Sequence, residues 1–236
     1  MVTRVDLREL RGLIADGAQL VEVLPAGEYR EGHLPGAVGI PLKELDQRAP
    51  RELDRGRPVV AYCWDWLCDL GPRAAHRLES LGFTNVYQYK AGKVDWLANG
   101  LPVEGEESAA LTVGRLARDD VVTATPDETV GKVRDRVAVS PYRFALVVDE
   151  HGVVLGRLRQ EVLSADPDAR ADRVMEAGPA TLRPNIRAEE LAEHMRHKDL
   201  RYAIVTTPEG RLLGVARRAD LEAAVATPEQ VSGSTR

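Results

Sequence analysis

The sequence predicts an α/β fold with a central parallel sheet in its first half, followed by an α+β unit that occurs twice. Strand-like apolar runs alternate with helical patterns up to about residue 105, which is typical of a parallel sheet with crossover helices. Beyond that point, residues 58 positions apart share glycines and an apolar helical stripe, as Gly156 and Gly214 do. We therefore expect two domains with different architectures.

Composition and charge narrow the class of protein. With 236 residues and 44% hydrophobic content, the chain has room for two domains with real cores. A net charge of −5 and the lack of a basic block argue against a nucleic-acid partner. No apolar signal core or long apolar run is present, so we expect neither secretion nor a membrane partner. The two cysteines, Cys63 and Cys68, indicate free thiols in a reducing compartment, and we expect the protein to be cytoplasmic.

The elements of the first half follow in order. Residues 6–14 form an amphipathic helix capped by Asp6, and residues 19–24 form a strand. A turn-rich segment follows that strand. Further along, residues 85–89 form a strand and residues 93–98 a short helix.

The central stretch runs from a buried strand at 58–63 to a helix at 72–81. Pro72 suits the first helical turn, and Gly82 suits the position just past the helix end. Cys63 therefore lies where a strand stops, on the loop that leads to a helix N-terminus. Backbone N–H groups and the helix dipole favour negative charge there, so we expect a stabilised thiolate, compared with a free thiol pKa of about 8.5.

Several motifs of the first half resemble the rhodanese family. They are Glu28-Tyr29 with Gly32-His33-Leu34-Pro35-Gly36-Ala37, then Tyr62-Cys63, then Ala91-Gly92, Trp96 and Gly100-Leu101-Pro102-Val103. The resemblance covers about residues 5–105 and implies a rhodanese-like domain over residues 1–105. It also implies a sulfurtransferase in which Cys63 is the nucleophile and carries sulfane sulfur as a persulfide. No cofactor is required for that transfer.

The loop after Cys63 departs from the usual family loop, because it is longer and contains no arginine. Its members besides Cys68 are Trp64, Asp65, Trp66, Leu67, Asp69, Leu70 and Gly71. We expect the backbone N–H groups of residues 64–71 to surround the sulfur. Asp65 and Asp69 would repel thiosulfate and raise the thiol pKa.

Alternatives remain for individual residues of this region. Arg73, at the helix start, either contacts a bound anion or is solvated. Cys68 is either a resolving thiol that attacks a Cys63 persulfide or a small apolar loop residue. Trp64 and Trp66 either border a pocket or pack the loop against the domain. His33 is expected to fix its turn through a backbone hydrogen bond.

A linker is predicted at residues 106–112, which are small and acidic. The repeat that follows predicts two units of about 113–170 and 171–227, each with strand, helix, hairpin and helix. Thr125 to Glu128 fits a helix capping box, and Asp149 to Gly152 fits a hairpin turn. Residues 228–236 are expected to be a disordered tail.

The second half, over residues 113–227, resembles tandem cystathionine-β-synthase (CBS) domains. The resemblance implies an α+β CBS domain pair that can bind AMP, ADP or ATP as a regulatory ligand through Gly214, Arg217 and Asp220. In the first copy Val162 stands where Asp220 stands in the second, so at most one nucleotide site is expected. Alternatively, Asp220 only caps the last helix and the pair serves to form a homodimer. His194 and His197 lie one helical turn apart without a third ligand, so no metal is expected.

Two functions follow from these patterns. The first is a rhodanese-type sulfurtransferase regulated by nucleotide binding to the CBS pair, whose partners are small-molecule or protein thiols that donate and accept sulfur. The second is a non-catalytic sensor of nucleotides or redox state, or a scaffold, with an inactive rhodanese fold. A cysteine phosphatase is disfavoured because Asp65 and Asp69 occupy a loop where phosphate chemistry needs an arginine.

Overall fold

The computed structural model describes residues 2–164 and 166–226, apart from the side chain of Glu107. It divides into two compact units, the first ending at Ala110 and the second beginning at Leu111. This division falls inside the segment predicted as a linker. The tail predicted at 228–236 lies outside the described residues.

A parallel sheet covered on both faces forms the first unit. Its strands are β1 Thr3–Val5, β2 Gln19–Glu22, β3 Val38–Gly39, β4 Val59–Tyr62 and β5 Val86–Tyr89. Its α-helices are α1 Leu7–Ala15, α2 Ala26–Glu31, α3 Leu45–Glu52, α4 Leu70–Ser80 and α5 Gly92–Ala98. The strand order is β1-β5-β4-β2-β3, and every paired strand is parallel. The predicted α/β architecture is confirmed, with β4 in the middle of the sheet.

Strand β4 divides the hydrophobic core of this unit into two layers. Ala61 and Cys63 pack among residues of α3 and α4, whereas Val60 and Tyr62 pack on the opposite face with residues of α1 and α5. All four residues of β4 are buried, as expected for a strand covered on both sides. The alternation sends the Cys63 side chain toward α4.

Local predictions in this unit hold with small shifts in boundary. The Asp6 cap is confirmed, since Asp6 Oδ1 accepts from the Glu9 N–H at 2.8 Å and Glu9 Oε2 accepts from the Asp6 N–H at 2.9 Å. Helix α4 begins two residues before Pro72. The turn-rich segment contains α2, which the sequence analysis did not predict.

The second unit contains the repeat. Its first copy comprises α6 Val113–Leu116, β6 Thr123–Ala124, α7 Val130–Ala138, β7 Phe144–Val148, β8 Val154–Arg159 and α8 Gln160–Leu163. Its second copy comprises α9 Ala171–Val174, β9 Glu176–Ala177, β10 Thr181–Leu182, α10 Ala188–His197, β11 Tyr202–Thr206, β12 Leu212–Arg217 and α11 Arg218–Ala226. Within the described residues, the sheets run β6-β7-β8-β9 and β10-β11-β12, each with one parallel pair and antiparallel partners. The predicted mixed α+β pair is confirmed.

The first segment of each copy packs on the other copy. The Ala171 N–H donates to the Glu128 carbonyl at 2.9 Å, and the equivalent Val113 N–H donates to the Ile186 carbonyl at 2.9 Å. Ala171 is fully buried in the core of the first copy, and Val113 is fully buried in the core of the second. The two copies are therefore interlocked, although the sequence predicted them as successive units.

Two further local outcomes concern turns and helix length. The hairpin at Asp149 is confirmed, with Asp149 Oδ1 accepting from the N–H groups of His151 and Val153. The capping box at Thr125 is wrong, because α7 begins at Val130 and the Thr125 hydroxyl donates to Asp127 instead. Among the described helices, none has the length and apolarity needed to cross a bilayer.

Candidate functional site

Cys63 follows directly after β4, at the carboxyl end of the central strand, and α4 begins seven residues later at Leu70. Its side chain is only 2% exposed and belongs to the core layer between the sheet and α4. Gly71, in the first turn of α4, lies against the sulfur: a β-carbon added there would be 3.0 Å from Cys63 Sγ. The helix start can approach the sulfur this closely because residue 71 has no side chain.

The sulfur of Cys63 faces both hydrogen-bond donors and acceptors. The backbone N–H groups of Gly71 and Trp64 donate toward it. The thiol itself donates to the Cys68 carbonyl at 3.6 Å and, more weakly, to the Asp65 carbonyl at 3.9 Å. The expected ring of N–H groups from residues 64–71 is therefore only partly formed, because the loop also turns two carbonyl groups inward.

Burial, and next to it the neighbouring Cys68 side chain, raise the pKa of the Cys63 thiol to about 12. The Gly71 and Trp64 N–H groups lower this pKa but do not outweigh burial. The expectation of a stabilised thiolate is thus not met in this arrangement, since desolvation disfavours the charged form. Cys63 is held as a neutral thiol.

Asp65 closes a tight turn in the loop. Its Oδ1 accepts from the N–H groups of Leu67 and Cys68, both at 2.9 Å. This turn folds the loop back so that Cys68 comes to lie beside Cys63. The carboxylate of Asp65 therefore organises the loop, a role that the sequence did not predict.

The outer side of the loop is apolar and exposed. Trp64 is 42% exposed, Trp66 66% and Leu67 72%. Trp64 lies over the Lys93 ammonium, 5.4 Å from its ring centroid to Nζ, and lines a cavity of about 40 Å³ with that lysine. Trp66 does not pack the loop against the domain, which corrects one of its two interpretations.

Arg73 pairs with Asp69, with 3.4 Å between Nη1 and Oδ2. Both side chains are mostly exposed. Arg73 also lines an open groove of about 470 Å³ beside the start of α4. The other residues lining this groove are Val23, Pro25, Pro41, Leu42, Lys43 and Leu70. The groove is apolar along its length with two cationic side chains, Lys43 and Arg73.

A buried ion pair that the sequence analysis missed supports the loop from the opposite side of the sheet. Lys93 Nζ donates to Glu22 Oε1 at 2.9 Å and to the carbonyl groups of Glu28 and Gly32. The Lys93 backbone N–H donates to the Cys63 carbonyl at 2.9 Å. Lys93 thus ties β2, α2 and the loop together, but a lysine at a helix start carries no signal of burial in the sequence.

Glu22 is fully buried, and its Oε2 has no hydrogen-bond partner among the described residues. Burial raises the pKa of Glu22, although Lys93 and Tyr62 act in the opposite direction. His33 has the structural role expected of it. Its Nδ1 lies 2.8 Å from the Tyr29 carbonyl, and its ring stacks on Tyr29 with 3.8 Å between centroids.

In the second unit, the candidate nucleotide residues form an ion pair with each other. Arg217 Nε and Nη2 donate to the two carboxylate oxygens of Asp220 at 2.7 and 2.9 Å. Arg118 lies 3.9 Å from the same carboxylate, and Gly214 packs against the Arg118 backbone. Asp220 lies in the first turn of α11 and not at its cap.

The first copy keeps an equivalent ion pair but builds it from a different position. Arg159, equivalent to Arg217, donates to Glu176 at 2.6 Å, and Arg157 also contacts this carboxylate. These arginines lower the pKa of Glu176 to about 2. Glu176 is equivalent to Arg118, and Val162 is equivalent to Asp220, so the first copy supplies its carboxylate from a position that is basic in the second copy. Extending the 58-residue repeat to residues 118 and 176 would have shown this change of charge.

Comparisons with known proteins agree with this architecture. Residues 6–99 match the family described as "Rhodanese-like domain", and residues 113–168 and 171–227 each match "CBS domain". A curated relative, thiosulfate:glutathione sulfurtransferase of Homo sapiens, is 30% identical over 107 residues, which cover 39% of this chain and 91% of that protein.

Two further proteins are each similar to part of the chain. The HTH-type transcriptional regulator Rv0324 of Mycobacterium tuberculosis is 39% identical over 103 residues, covering 44% of either chain. The crystal structure of CBS domains of a transcriptional regulator from Streptococcus pneumoniae is 23% identical with a TM-score of 0.44, covering 48% of this chain and 98% of that chain. The chain spans less than two thirds of the length of two curated relatives, namely 44% of Rv0324 and 60% of the protein YqhL of Bacillus subtilis, which is 38% identical over 79 residues.

Proposed function

The chain belongs to the rhodanese-like family through residues 6–99, which two CBS domains follow, and we propose that it is a sulfurtransferase carrying sulfane sulfur on Cys63. The observation that carries this proposal is the position of Cys63. Cys63 directly follows the central strand, Gly71 of the next helix lies against its sulfur, and the N–H groups of Trp64 and Gly71 lower the pKa of its thiol. The similarity to a human sulfurtransferase over most of that protein's length supports the same assignment.

The reaction is a displacement at sulfur. The Cys63 thiolate attacks the outer sulfur of a donor persulfide, an S–S bond forms, and the donor leaves as a thiolate. A nucleophile then attacks the outer sulfur of the Cys63 persulfide and releases Cys63. The Trp64 and Gly71 N–H groups would stabilise the negative charge on the terminal sulfur.

Direct transfer from a donor to Cys63 requires the loop to move, because Cys63 is 2% exposed and its thiol is neutral in the closed arrangement. Opening would hydrate the sulfur and lower its pKa toward that of an exposed thiol. The groove beside α4 is a suitable approach for a donor or acceptor, since Lys43 and Arg73 favour an anionic molecule and the remaining lining is apolar. A reducing compartment such as the cytoplasm would keep both cysteines free.

Peptide mapping tests this function. The protein is treated separately with thiosulfate and glutathione persulfide, alkylated, and cleaved before aspartate, which gives fragment 54–64 with Cys63 and fragment 65–68 with Cys68. We expect fragment 54–64 to gain the mass of one sulfur atom, and cyanide added before the alkylation to remove that sulfur as thiocyanate. The Cys63→Ser variant is the control for the fragment assignment. Absence of sulfur on this fragment with both donors would reject the transferase.

The sensor or scaffold remains the second candidate, and the burial of Cys63 favours it. Cys63 is buried beneath its loop and has a pKa of about 12, which is compatible with a rhodanese domain that has lost its catalytic activity. The similarity of residues in this chain to a transcriptional regulator is compatible with that role. In this case donors leave both cysteines unmodified, whereas nucleotide binding to the CBS pair persists.

We place a regulatory adenine nucleotide (AMP, ADP or ATP) at Gly214, Arg217 and Asp220. Binding there requires the ion pair between Arg217 and Asp220 to break. The arginine can then contact a phosphate group, and the Asp220 carboxylate can accept from the ribose hydroxyls. Calorimetric titration of the wild type and the Asp220→Ala variant tests this site. Equal affinity of the two proteins, or no binding to either, would leave Asp220 as a structural ion-pair partner.

We also propose that the CBS pair forms a homodimer. Val139, at the end of α7, is 88% exposed and is the kind of apolar surface that such a contact would cover. Light scattering coupled to size exclusion would measure the mass, and a monomer at micromolar concentration would reject the dimer.

A further inference from the structure

The loop after Cys63 holds two cysteines with different access to solvent. Cys63 is 2% exposed, whereas Cys68 is only partly buried. The turn closed by Asp65 places Cys68 over the first cysteine, with 3.6 Å between Cys63 Sγ and the Cys68 carbonyl. The Cys68 side chain packs against the core cluster that contains Cys63 and helps to raise the pKa of that thiol.

This arrangement separates the two requirements of a sulfur carrier. A donor must bring its sulfane sulfur into line with an accessible thiolate, which Cys63 does not offer while the loop is closed. A carried persulfide benefits from protection against solvent and from the Trp64 and Gly71 N–H groups, which Cys63 does offer. A donor can therefore reach Cys68, whereas a persulfide on Cys63 is protected from solvent.

We propose that Cys68 is a second catalytic residue, which takes sulfane sulfur from the donor and passes it to Cys63. The inference rests on the proposed sulfurtransferase function and adds the route by which a buried cysteine is loaded.

The two steps balance without an oxidant. The Cys68 thiolate first attacks the outer sulfur of the donor persulfide, forms a new S–S bond and releases the donor thiolate. The Cys63 sulfur then attacks the outer sulfur of the Cys68 persulfide, whose S–S bond breaks. The proton of the Cys63 thiol goes to the departing Cys68 sulfur, which leaves as a thiol. The number of S–S bonds is unchanged in each step.

A time course of loading tests the route. Wild type, Cys68→Ser, Cys63→Ser and the control Leu67→Ser are mixed with glutathione persulfide, quenched by alkylation at increasing times and cleaved before aspartate. In the wild type, sulfur is expected on fragment 65–68 first and on fragment 54–64 later. Cys63→Ser is expected to retain sulfur on fragment 65–68. Loading of fragment 54–64 is expected to slow about tenfold or more in Cys68→Ser, because only rare loop opening then admits the donor.

The Leu67→Ser control changes a neighbouring side chain that is 72% exposed, so it should load fragment 54–64 at the wild-type rate. Loading of Cys68→Ser at the wild-type rate would overturn the relay while leaving the sulfurtransferase intact. A disulfide joining the two fragments would also overturn it, because Cys63 would then have attacked the inner sulfur and released hydrosulfide. Sulfur on neither fragment of the wild type would reject both the relay and the proposed function.

Discussion

At the scale of single residues, the ion pair between Lys93 and Glu22 is almost completely buried, although transfer of charged groups out of water costs free energy. Their side chains are 3% and 0% exposed, and one Glu22 oxygen has no partner among the described residues. A buried pair contributes little net stability, but removing one partner leaves a charge that is costly to bury. The pair therefore fixes the position of the loop above it more than it stabilises the fold.

Replacing Lys93 by Met is expected to destabilise the protein by about 3–5 kcal/mol at pH 7. Burial already raises the pKa of Glu22, and loss of the lysine raises it further. Because the folded state then binds a proton more readily than the unfolded chain does, stability decreases as pH rises and recovers as pH falls. We expect the loss at pH 5 to be smaller by up to about 3 kcal/mol, since each pH unit corresponds to about 1.4 kcal/mol.

Urea denaturation of wild type and variant at the two pH values measures this difference. The control Lys43→Met removes a lysine that is 83% exposed and should change stability little at either pH. A loss in Lys93→Met that is equal at pH 5 and pH 7 would show that Glu22 is not the group responsible.

Gly71→Ala is expected to cost about 1–3 kcal/mol, because the added methyl group lies 3.0 Å from Cys63 Sγ. The same methyl group would occupy space that the outer sulfur of a persulfide needs, so sulfur loading should fall as well. Gly12→Ala, in α1, is the matched control, since nothing lies within 4 Å of its added carbon. That change should stabilise the helix by up to about 1 kcal/mol. Thermal unfolding of both variants measures these changes in stability. A Gly71→Ala protein as stable as the wild type would show that the added methyl group does not clash with the Cys63 sulfur.

At the scale of elements, the loop between β4 and α4 depends on one carboxylate. Asp65→Ala removes the acceptor for two N–H groups of the turn, so the loop should open more often. Alkylation of Cys63 by iodoacetamide is then expected to become several-fold faster, about tenfold at most. Asp65→Asn keeps an acceptor oxygen and should remain close to wild type. Equal rates in Asp65→Ala and wild type would mean that another contact keeps the loop closed.

Most elements were predictable because their signals are local. The buried strand at 59–62, the Asp6 cap and the hairpin at Asp149 follow from apolar runs and from side chains that bond to nearby backbone. Thr125 shows the limit: its motif fits a helix start, but pairing of Thr129 with Arg170 delays the helix to Val130. Contacts between distant segments decided that boundary.

The candidate site was predictable only where it depends on local sequence signals. The location of Cys63 follows from the strand–loop–helix pattern, whereas its ionisation depends on burial that only the packed structure defines. The carbonyl groups of Asp65 and Cys68 face the sulfur because of the Asp65 turn, which the sequence analysis treated only as a source of charge. The role of Lys93 depends on three segments far apart in sequence.

At the scale of the whole molecule, the interlocked repeats are expected to share their stability. Val113→Ala should create a cavity in the second copy and cost about 2 kcal/mol. Hydrogen exchange in the full chain should then rise in α10 more than in α7, although residue 113 belongs to the first copy in sequence. Val94→Ala, at an exposed position in α5 of the first unit, is the matched control and should leave exchange in α7 and α10 unchanged. Faster exchange in α7 alone would contradict the interlocked packing.

The exchanged first segments also decide which part of this protein can be transplanted. An excised first copy would leave behind Ala171, which fills its core, and an excised second copy would lack Val113. Either fragment would expose apolar core residues that the missing segment covers in the intact pair. The smallest portable module at this end of the protein is therefore the intact pair, and a chimaera that borrows only one of its halves should aggregate.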